Sequence, residues 1–160
     1  MSTKVKTFIQ IKSPKWQAEL RDVENLCKVA AAAAWQVALE QSGNFEASIA
    51  LADDGFIQEL NREYRHQDKP TNVLSFPADG EEPALPGEVP NLGDIVIAFE
   101  TTKQEAPDNL PNHVSHLVVH GCLHLLGYDH EEENEAEEME GLEIKILDGL
   151  GIENPYNETS

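Results

Sequence analysis

The stretch "HLVVHGCLHLLGYDH", residues 116–130, decides the fold because it joins a helix, a glycine and a row of histidines. At about 1.5 Å of rise per residue, His120 and His124 lie about 6 Å apart on one helix face, within reach of one metal ion. Gly127 follows, and a glycine just beyond a helix can adopt the left-handed conformation and turn the chain back. That turn would bring His130 to the pair, which predicts three nitrogen ligands and an open fourth position.

The residue after His120 separates this stretch from a protease motif. Its spacing matches H-E-x-x-H-x-x-G-x-x-H, but Gly121 stands where zinc proteases carry their catalytic glutamate. Without that base, either the metal alone ionises its bound water or the substrate needs charge stabilisation more than a base. Phosphodiester cleavage is of the second kind, because its transition state spreads negative charge over phosphoryl oxygens.

The residues around the three histidines have less certain roles. Adding His116 to the helix pair would make a row about 12 Å long, which is too long for one ion. We therefore expect His116 and His113 to support the ligands or to line the cleft, with simple packing an equal alternative. Cys122 should point away from the helix histidines into the core. Asp129 is a candidate general base by proximity alone, and it could equally cap the last helix.

A second motif, "LNREYRHQDKPTNVLSFP" at residues 60–77, supplies positive charge in an acidic chain. Four groups within eight residues can be cationic: Arg62, Arg65, His66 and Lys69. A guanidinium donates two hydrogen bonds in a fixed fork and stays charged, which suits a phosphoryl group. Arg65 ends the predicted helix, where a cation also complements the helix dipole. The clustering of four such groups favours a functional role.

The net charge of the 160-residue chain is −19, and residues 81–160 contain 19 acidic and only 2 basic side chains. Such a surface repels phosphate backbones, which argues against a general nucleic-acid binder. Two cysteines far apart and the absence of an apolar signal region predict a cytoplasmic location. The longest apolar run, residues 29–35, is too short to span a bilayer.

The pattern of elements predicts one α+β domain over residues 1–160, with a small mixed sheet of about four strands and helices packed on it. With the histidine motif, we expect that single domain to be a metal-dependent hydrolase. Strands are predicted at 5–11, 45–52, 72–78 and 93–100, and a loop at 79–92. A long helix should begin near 13–14 or near Asp22, and others are predicted at 55–65, 100–106, 112–126 and 132–148. The helix that carries His120 and His124 would be a zincin-like metal helix.

Together these segments resemble the YbeY family of bacterial endoribonucleases and rRNA maturation factors. The resemblance rests on the two motifs above, on "LGDIVIAFETTKQEA" and on "EEENEAEEMEGLEIKIL", and it covers about residues 56–156. It implies one Zn²⁺ per chain on His120, His124 and His130, with Arg65 and His120 as catalytic residues. It also implies single-strand-specific RNA cleavage in 3′-end maturation of small-subunit rRNA and in ribosome quality control. The implied partners are single-stranded RNA, rRNA, and the small ribosomal subunit with its assembly factors, and no membrane.

Three other functions stay open at this point. The histidine spacing alone would suit a metallopeptidase. A non-enzymatic, zinc-stabilised ribosome assembly factor would use the same fold for binding, and a third possibility is a hydrolase of small phosphoesters. The nucleophile could be water or the RNA 2′-hydroxyl, and the ligand set favours zinc while allowing nickel.

Overall fold

Helices and strands follow one another in the predicted order, except that two helices replace the single one expected between the first two strands. The computed structural model describes residues 3–40, 43–78, 89–128 and 133–155, and within them it contains four strands and six helices. In chain order these are β1 (Thr3–Ile11), α1 (Lys15–Glu19), α2 (Val23–Ala38), β2 (Gly43–Ala52), α3 (Asp54–Arg65), β3 (Val73–Pro77), β4 (Asn91–Ala98), α4 (Phe99–Glu105), α5 (Leu110–Leu125) and α6 (Glu133–Gly149). The predicted α+β class is confirmed.

The four strands form one mixed sheet in the order β1-β2-β4-β3. Strand β2 is parallel to both β1 and β4. Strand β3 is antiparallel to β4 and lies at the edge of the sheet. The prediction of a small mixed sheet of about four strands is therefore confirmed, and among the described residues no strand pairs with the outer side of β3.

Helices cover the two faces of the sheet unequally. The main core lies between the sheet and α2, α5 and α6; its fully buried side chains include Cys27, Ala31, Ile49, Leu51, Ile95, Ile97, Val118, Cys122, Leu123 and Leu147. On the opposite face α3 contributes Ile57 to a small cluster with Ala52, Val96 and Ala98. Because α5 also packs against β3, the helix that carries the histidines runs beside the open edge of the sheet.

The region between β1 and β2 contains two helices instead of the one predicted. Both possible starts are used, since α1 begins at Lys15 and α2 at Val23. Trp16 holds the short α1, because its indole Nε1 donates a hydrogen bond to the carbonyl of Ala52 at 2.8 Å. Leu20 then adopts an extended conformation, with φ −131° and ψ 98°, and this ends α1.

The predicted strand 93–100 runs from Asn91 to Ala98, because its last two residues begin α4. The carboxylate of Asp54 accepts hydrogen bonds from the backbone N–H of Thr101 at 3.0 Å and from its hydroxyl at 2.9 Å. This contact satisfies the backbone N–H of Thr101 in the first turn of α4. The N-cap residue of that helix, Ala98, makes no side-chain capping hydrogen bond. A side chain distant in sequence thus sets the boundary.

The remaining boundaries differ from prediction by a few residues. Helix α5 begins at Leu110 because Pro111, which needs no intrahelical partner for its nitrogen, fits the first turn. The predicted loop 79–92 lies outside the described residues over 79–88, and Asn91 and Leu92 belong to β4. Across the part of the chain that the structure describes, no helix is both long and apolar enough to cross a membrane.

Candidate metal centre and cleft

The predicted ligands His120 and His124 lie one turn apart on α5, and their Nε2 atoms are 3.1 Å from each other. Two zinc ligands at 2.0–2.1 Å in a tetrahedral arrangement are about 3.3–3.4 Å apart. The pair therefore fits a single zinc ion with an adjustment of a few tenths of an ångström. His130 and Asp129 lie outside the described residues. Among the described residues, no three His, Cys, Asp or Glu side chains form a group able to hold a metal, so a full site requires a ligand from elsewhere.

The chain turns sharply after α5 at Gly127, which has a φ of +99°. The N–H of Gly127 donates to the carbonyl of His124 at 3.0 Å, and the N–H of Tyr128 donates to that of Leu123 at 3.1 Å. These two bonds are those of the Schellman motif, whose left-handed position favours glycine. The left-handed turn predicted at Gly127 is therefore present.

Gly121 does not face the same way as the two histidines. A Cβ atom built on Gly121 would lie 2.9 Å from Cγ2 of the fully buried Ile95 and 3.0 Å from its Cδ1. Position 121 therefore points at strand β4, and only a glycine lets α5 approach the sheet so closely. A glutamate there would enter the core, so the protease base is absent because helix packing leaves it no room.

Replacing Gly121 with alanine should destabilise the protein. Overpacking against Ile95 costs about 1–3 kcal/mol, partly offset by about 1 kcal/mol from the higher helix propensity of alanine. The free energy of unfolding, measured by urea titration, should fall. Gly141→Ala is the matched control, because Gly141 is an exposed α6 residue whose added Cβ would meet nothing within 4 Å. That change should stabilise, and equal stabilisation by both variants would contradict close packing at 121.

Arg65 ends α3 and lines the same cleft as the two histidines. Its Nη2 donates a hydrogen bond to the carbonyl of Ser75 on β3 at 3.0 Å, and its Cζ lies 5.8 Å from the ring centroid of Phe76. The two contacts direct the guanidinium along the edge strand. A cleft of about 620 Å³ is lined by Arg65, Asn72, Val73, Leu74, Ser75, Pro77, His120, His124, Gly127 and Tyr128. The two motifs singled out in the sequence thus share one cavity.

The other members of the basic segment do not line this cleft. Arg62 and Arg65 both fall in the last turn of α3, and His66 ends the helix in the left-handed conformation with a φ of 57°. Asn61 donates from its side chain to the carbonyl of Lys69 at 2.9 Å, which holds the turn into β3. Arg65 is therefore the member of the segment that the fold brings to the histidine pair.

His113 and His116, the other α5 histidines, are not among the residues that line the cleft. Nε2 of His113 lies 2.8 Å from a carboxylate oxygen of Glu105. Nε2 of His116 lies 3.6 Å from Oε1 of Glu143, and Nδ1 of His120 lies 2.6 Å from that same oxygen. His116 therefore lies near the same carboxyl oxygen as His120, and its supporting role stays a prediction.

Glu143 is a residue to which the sequence analysis assigned no role. It sits in the acidic run of α6, where a solvated carboxylate is the ordinary expectation. Its side chain is only 1% exposed, beside Met139 and Leu147 on the buried face of the helix. Helical spacing in the sequence could have indicated this burial, because Glu143 falls four residues from each of these two apolar positions.

Burial keeps the two thiols out of the metal chemistry. Desolvation raises the pKa of Cys27 to about 12, and it raises the pKa of Cys122 well above its usual value. Both thiols stay protonated at neutral pH, whereas a metal ligand must be a thiolate. The prediction that Cys122 is a core residue is confirmed by its complete burial.

Tyr128 is a further cleft residue that sequence reasoning missed. Partial burial raises the pKa of its phenol, and the carboxylates of Glu138 and Glu40 raise that pKa further. The phenol is therefore neutral at physiological pH and keeps its proton for donation to an anion. Its position directly after the glycine turn brings it into the cleft wall.

An α+β fold with a histidine pair and an arginine on one cleft has the features expected of a metal-dependent hydrolase. The family model of endoribonuclease YbeY matches residues 8–151. Endoribonuclease YbeY of Paramagnetospirillum magneticum is 47% identical over 163 aligned residues, which cover 99% of this chain and 99% of the relative. That of Rhodopseudomonas palustris is 47% identical over 154 residues, covering 94% and 89%. The chain belongs to the YbeY endoribonuclease family.

One solved structure supports the fold independently. The solution structure of TM1509 from Thermotoga maritima matches with a TM-score of 0.50 at 23% sequence identity. The match covers 96% of this chain and 99% of TM1509. At that identity the similarity concerns the arrangement of helices and strands alone.

Proposed function

We propose that the chain is a zinc-dependent, single-strand-specific endoribonuclease that acts in 3′-end maturation of small-subunit rRNA and in ribosome quality control. Its membership of the YbeY endoribonuclease family makes RNA the substrate. The observation that carries the finer proposal is the shared cleft, which Arg65, His120 and His124 all line. A metal site beside a fixed guanidinium is suited to a charged phosphodiester.

We assign different roles in phosphodiester cleavage to different residues of the cleft. We assign the metal to His120, His124 and His130, where zinc, when bound, supplies Lewis-acid activation of the phosphate or of the nucleophile. Arg65 would bind the phosphoryl oxygens through its guanidinium, which stays charged as negative charge builds up. The bond from Arg65 to Ser75 orients that group before RNA arrives, so little reorganisation is needed at the moment of reaction.

The acidic surface supports a single strand as the substrate. A duplex brings two phosphate backbones towards a chain of net charge −19, whereas a single strand can present one phosphate to Arg65 and the metal. The same repulsion keeps affinity for free RNA low. The small ribosomal subunit and its assembly factors would supply the remaining affinity, which connects the enzyme to rRNA rather than to RNA in general.

A cleavage assay with one end-labelled RNA tests this proposal. The zinc-loaded protein should cut the single strand at least about 100-fold faster than the same RNA annealed to its complement. Removing the metal with a chelator should stop cutting, and added Zn²⁺ should restore it. Equal rates on strand and duplex would contradict strand specificity, and undiminished cutting by metal-free protein would contradict the metal.

The rival functions predict different results from the same preparation. A metallopeptidase would digest casein, but the space at Gly121 that a catalytic glutamate would need is filled by Ile95. A small-phosphoester hydrolase would turn over nucleotide analogues as fast as RNA. An assembly factor without catalysis would cut neither substrate and would still bind the small subunit.

A further inference from the structure

We propose that Glu143 is a positioning residue that fixes the tautomer and the orientation of His120, so that Nε2 of His120 is presented to the metal together with Nε2 of His124. The inference rests on the proposed metal site but concerns the protein's own hydrogen bonds. It gives a role to a carboxylate from a different helix, which the histidine motif alone does not include.

The burial of Glu143 requires an explanation. Its side chain is 1% exposed, and the neighbouring buried residues of α6 are the apolar Met139, Ile146 and Leu147. Removing a carboxylate from water is costly unless it is paired and hydrogen-bonded. Apolar residues of similar size are often at least as stable at such positions. Stability alone therefore does not account for a carboxylate at position 143.

Two histidines of α5 lie close to the side chain of Glu143. Oε1 of Glu143 lies 2.6 Å from Nδ1 of His120, which is within hydrogen-bond length. The same oxygen lies 3.6 Å from Nε2 of His116, beyond hydrogen-bond length. Of these two histidines, His120 is the closer to the Glu143 carboxyl group, and His116 lies one turn earlier on α5.

The proposed bond would fix the tautomer of the His120 ring. An imidazole that donates Nδ1–H to a carboxylate carries its lone pair on Nε2, which is the atom facing His124 at 3.1 Å. Carboxylate acceptors behind metal-bound histidines fix ring orientation and raise ligand basicity, and their loss lowers metal affinity about 10–100-fold. Glu143 would therefore prepare the site before any metal binds.

The test compares two substitutions at this position. Glu143→Met has similar volume and suits a buried site but removes the acceptor, whereas Glu143→Gln keeps an acceptor oxygen and removes the charge. Zinc affinity, measured by competition with a chromophoric chelator, should fall about 10–100-fold in Glu143→Met and by less in Glu143→Gln. Glu140→Met is the control, because Glu140 is an exposed residue of the same helix. The zinc affinity of this control variant should equal that of the wild type. Thermal melting verifies that each variant is folded.

A second readout tests the inference without metal. Long-range ¹H–¹⁵N spectra of metal-free protein with labelled histidine report which ring nitrogen carries the proton, and His120 is assigned by its loss in His120→Gln. The wild type should show His120 protonated at Nδ1, and folded Glu143→Met should lose that preference. A wild-type ring protonated at Nε2, or unchanged zinc affinity in folded Glu143→Met, would overturn the inference.

The two readouts separate this inference from the proposed function. Wild-type protein that binds zinc with the expected order among the variants but cuts no RNA would support the role of Glu143 and contradict the ribonuclease proposal. Wild-type protein that cuts RNA as expected, together with a folded Glu143→Met variant of unchanged zinc affinity, would support the ribonuclease proposal and contradict the role of Glu143.

Discussion

His124→Ala is expected to lower RNA cleavage at least about 100-fold and to abolish stoichiometric zinc binding. His124 supplies one of the two nitrogens that lie 3.1 Å apart on α5, and a single remaining helix ligand cannot hold the ion in a tetrahedral site. Lewis-acid stabilisation by a metal is worth several kcal/mol, and each 1.4 kcal/mol corresponds to a tenfold rate. Initial rates on labelled single-stranded RNA and metal content per chain measure the two effects.

His113→Ala provides the matched control for this prediction. His113 lies on the same helix and pairs with Glu105 instead of lining the cleft, so its loss should leave zinc content unchanged and alter the rate less than threefold. Equal loss of activity in both variants would indicate damage to α5 and not removal of a ligand. Full activity in zinc-free His124→Ala would contradict metal-dependent cleavage and favour a structural role for the histidines.

The sequence predicted the fold wherever a local pattern determined the structure. Local patterns determine β1, which is rich in β-branched residues, and the start of α3, where Asp53 accepts a hydrogen bond from the N–H of Phe56 at 2.8 Å. The prediction was wrong where a contact between residues distant in sequence determined the local structure. The strand pattern continued through Phe99, but a hydrogen bond from Thr101 to Asp54, 47 residues away in sequence, favours helix there.

The site shows the same division between local and distant information. Helical spacing was sufficient to bring His120 and His124 together, and a glycine at position 127 was sufficient to predict the turn. Arg65 at the end of α3 shares a cleft with the α5 histidines because β3, which also lines that cleft, lies at the sheet edge, and strand order does not follow from composition. Glu143 was missed because its acidic neighbours mask its helical spacing from Met139 and Leu147, and the packing of α6 against α5 then shows that it is buried.

Arg65→Ala is expected to lower kcat for RNA cleavage about 100- to 1,000-fold, the usual loss when one pre-oriented donor to a developing anion is removed. The loss should fall mainly on kcat, because charge on the phosphoryl oxygens is greatest in the transition state. Arg65→Lys keeps the charge but not the two-pronged geometry, so it should recover only part of the rate. Zinc content should stay at one per chain, since Arg65 is not a ligand.

Arg62→Ala distinguishes a specific guanidinium from a general basic surface. Arg62 occupies the same last turn of α3 but is not among the residues that line the cleft, so the loss of its charge should raise KM slightly and leave kcat unchanged. If Arg62→Ala and Arg65→Ala instead raised KM equally with unchanged kcat, both would act by attracting RNA through their charge. Added salt would then weaken wild-type binding in proportion. Only a kcat defect confined to position 65, under both low and high salt, assigns Arg65 to the chemical step.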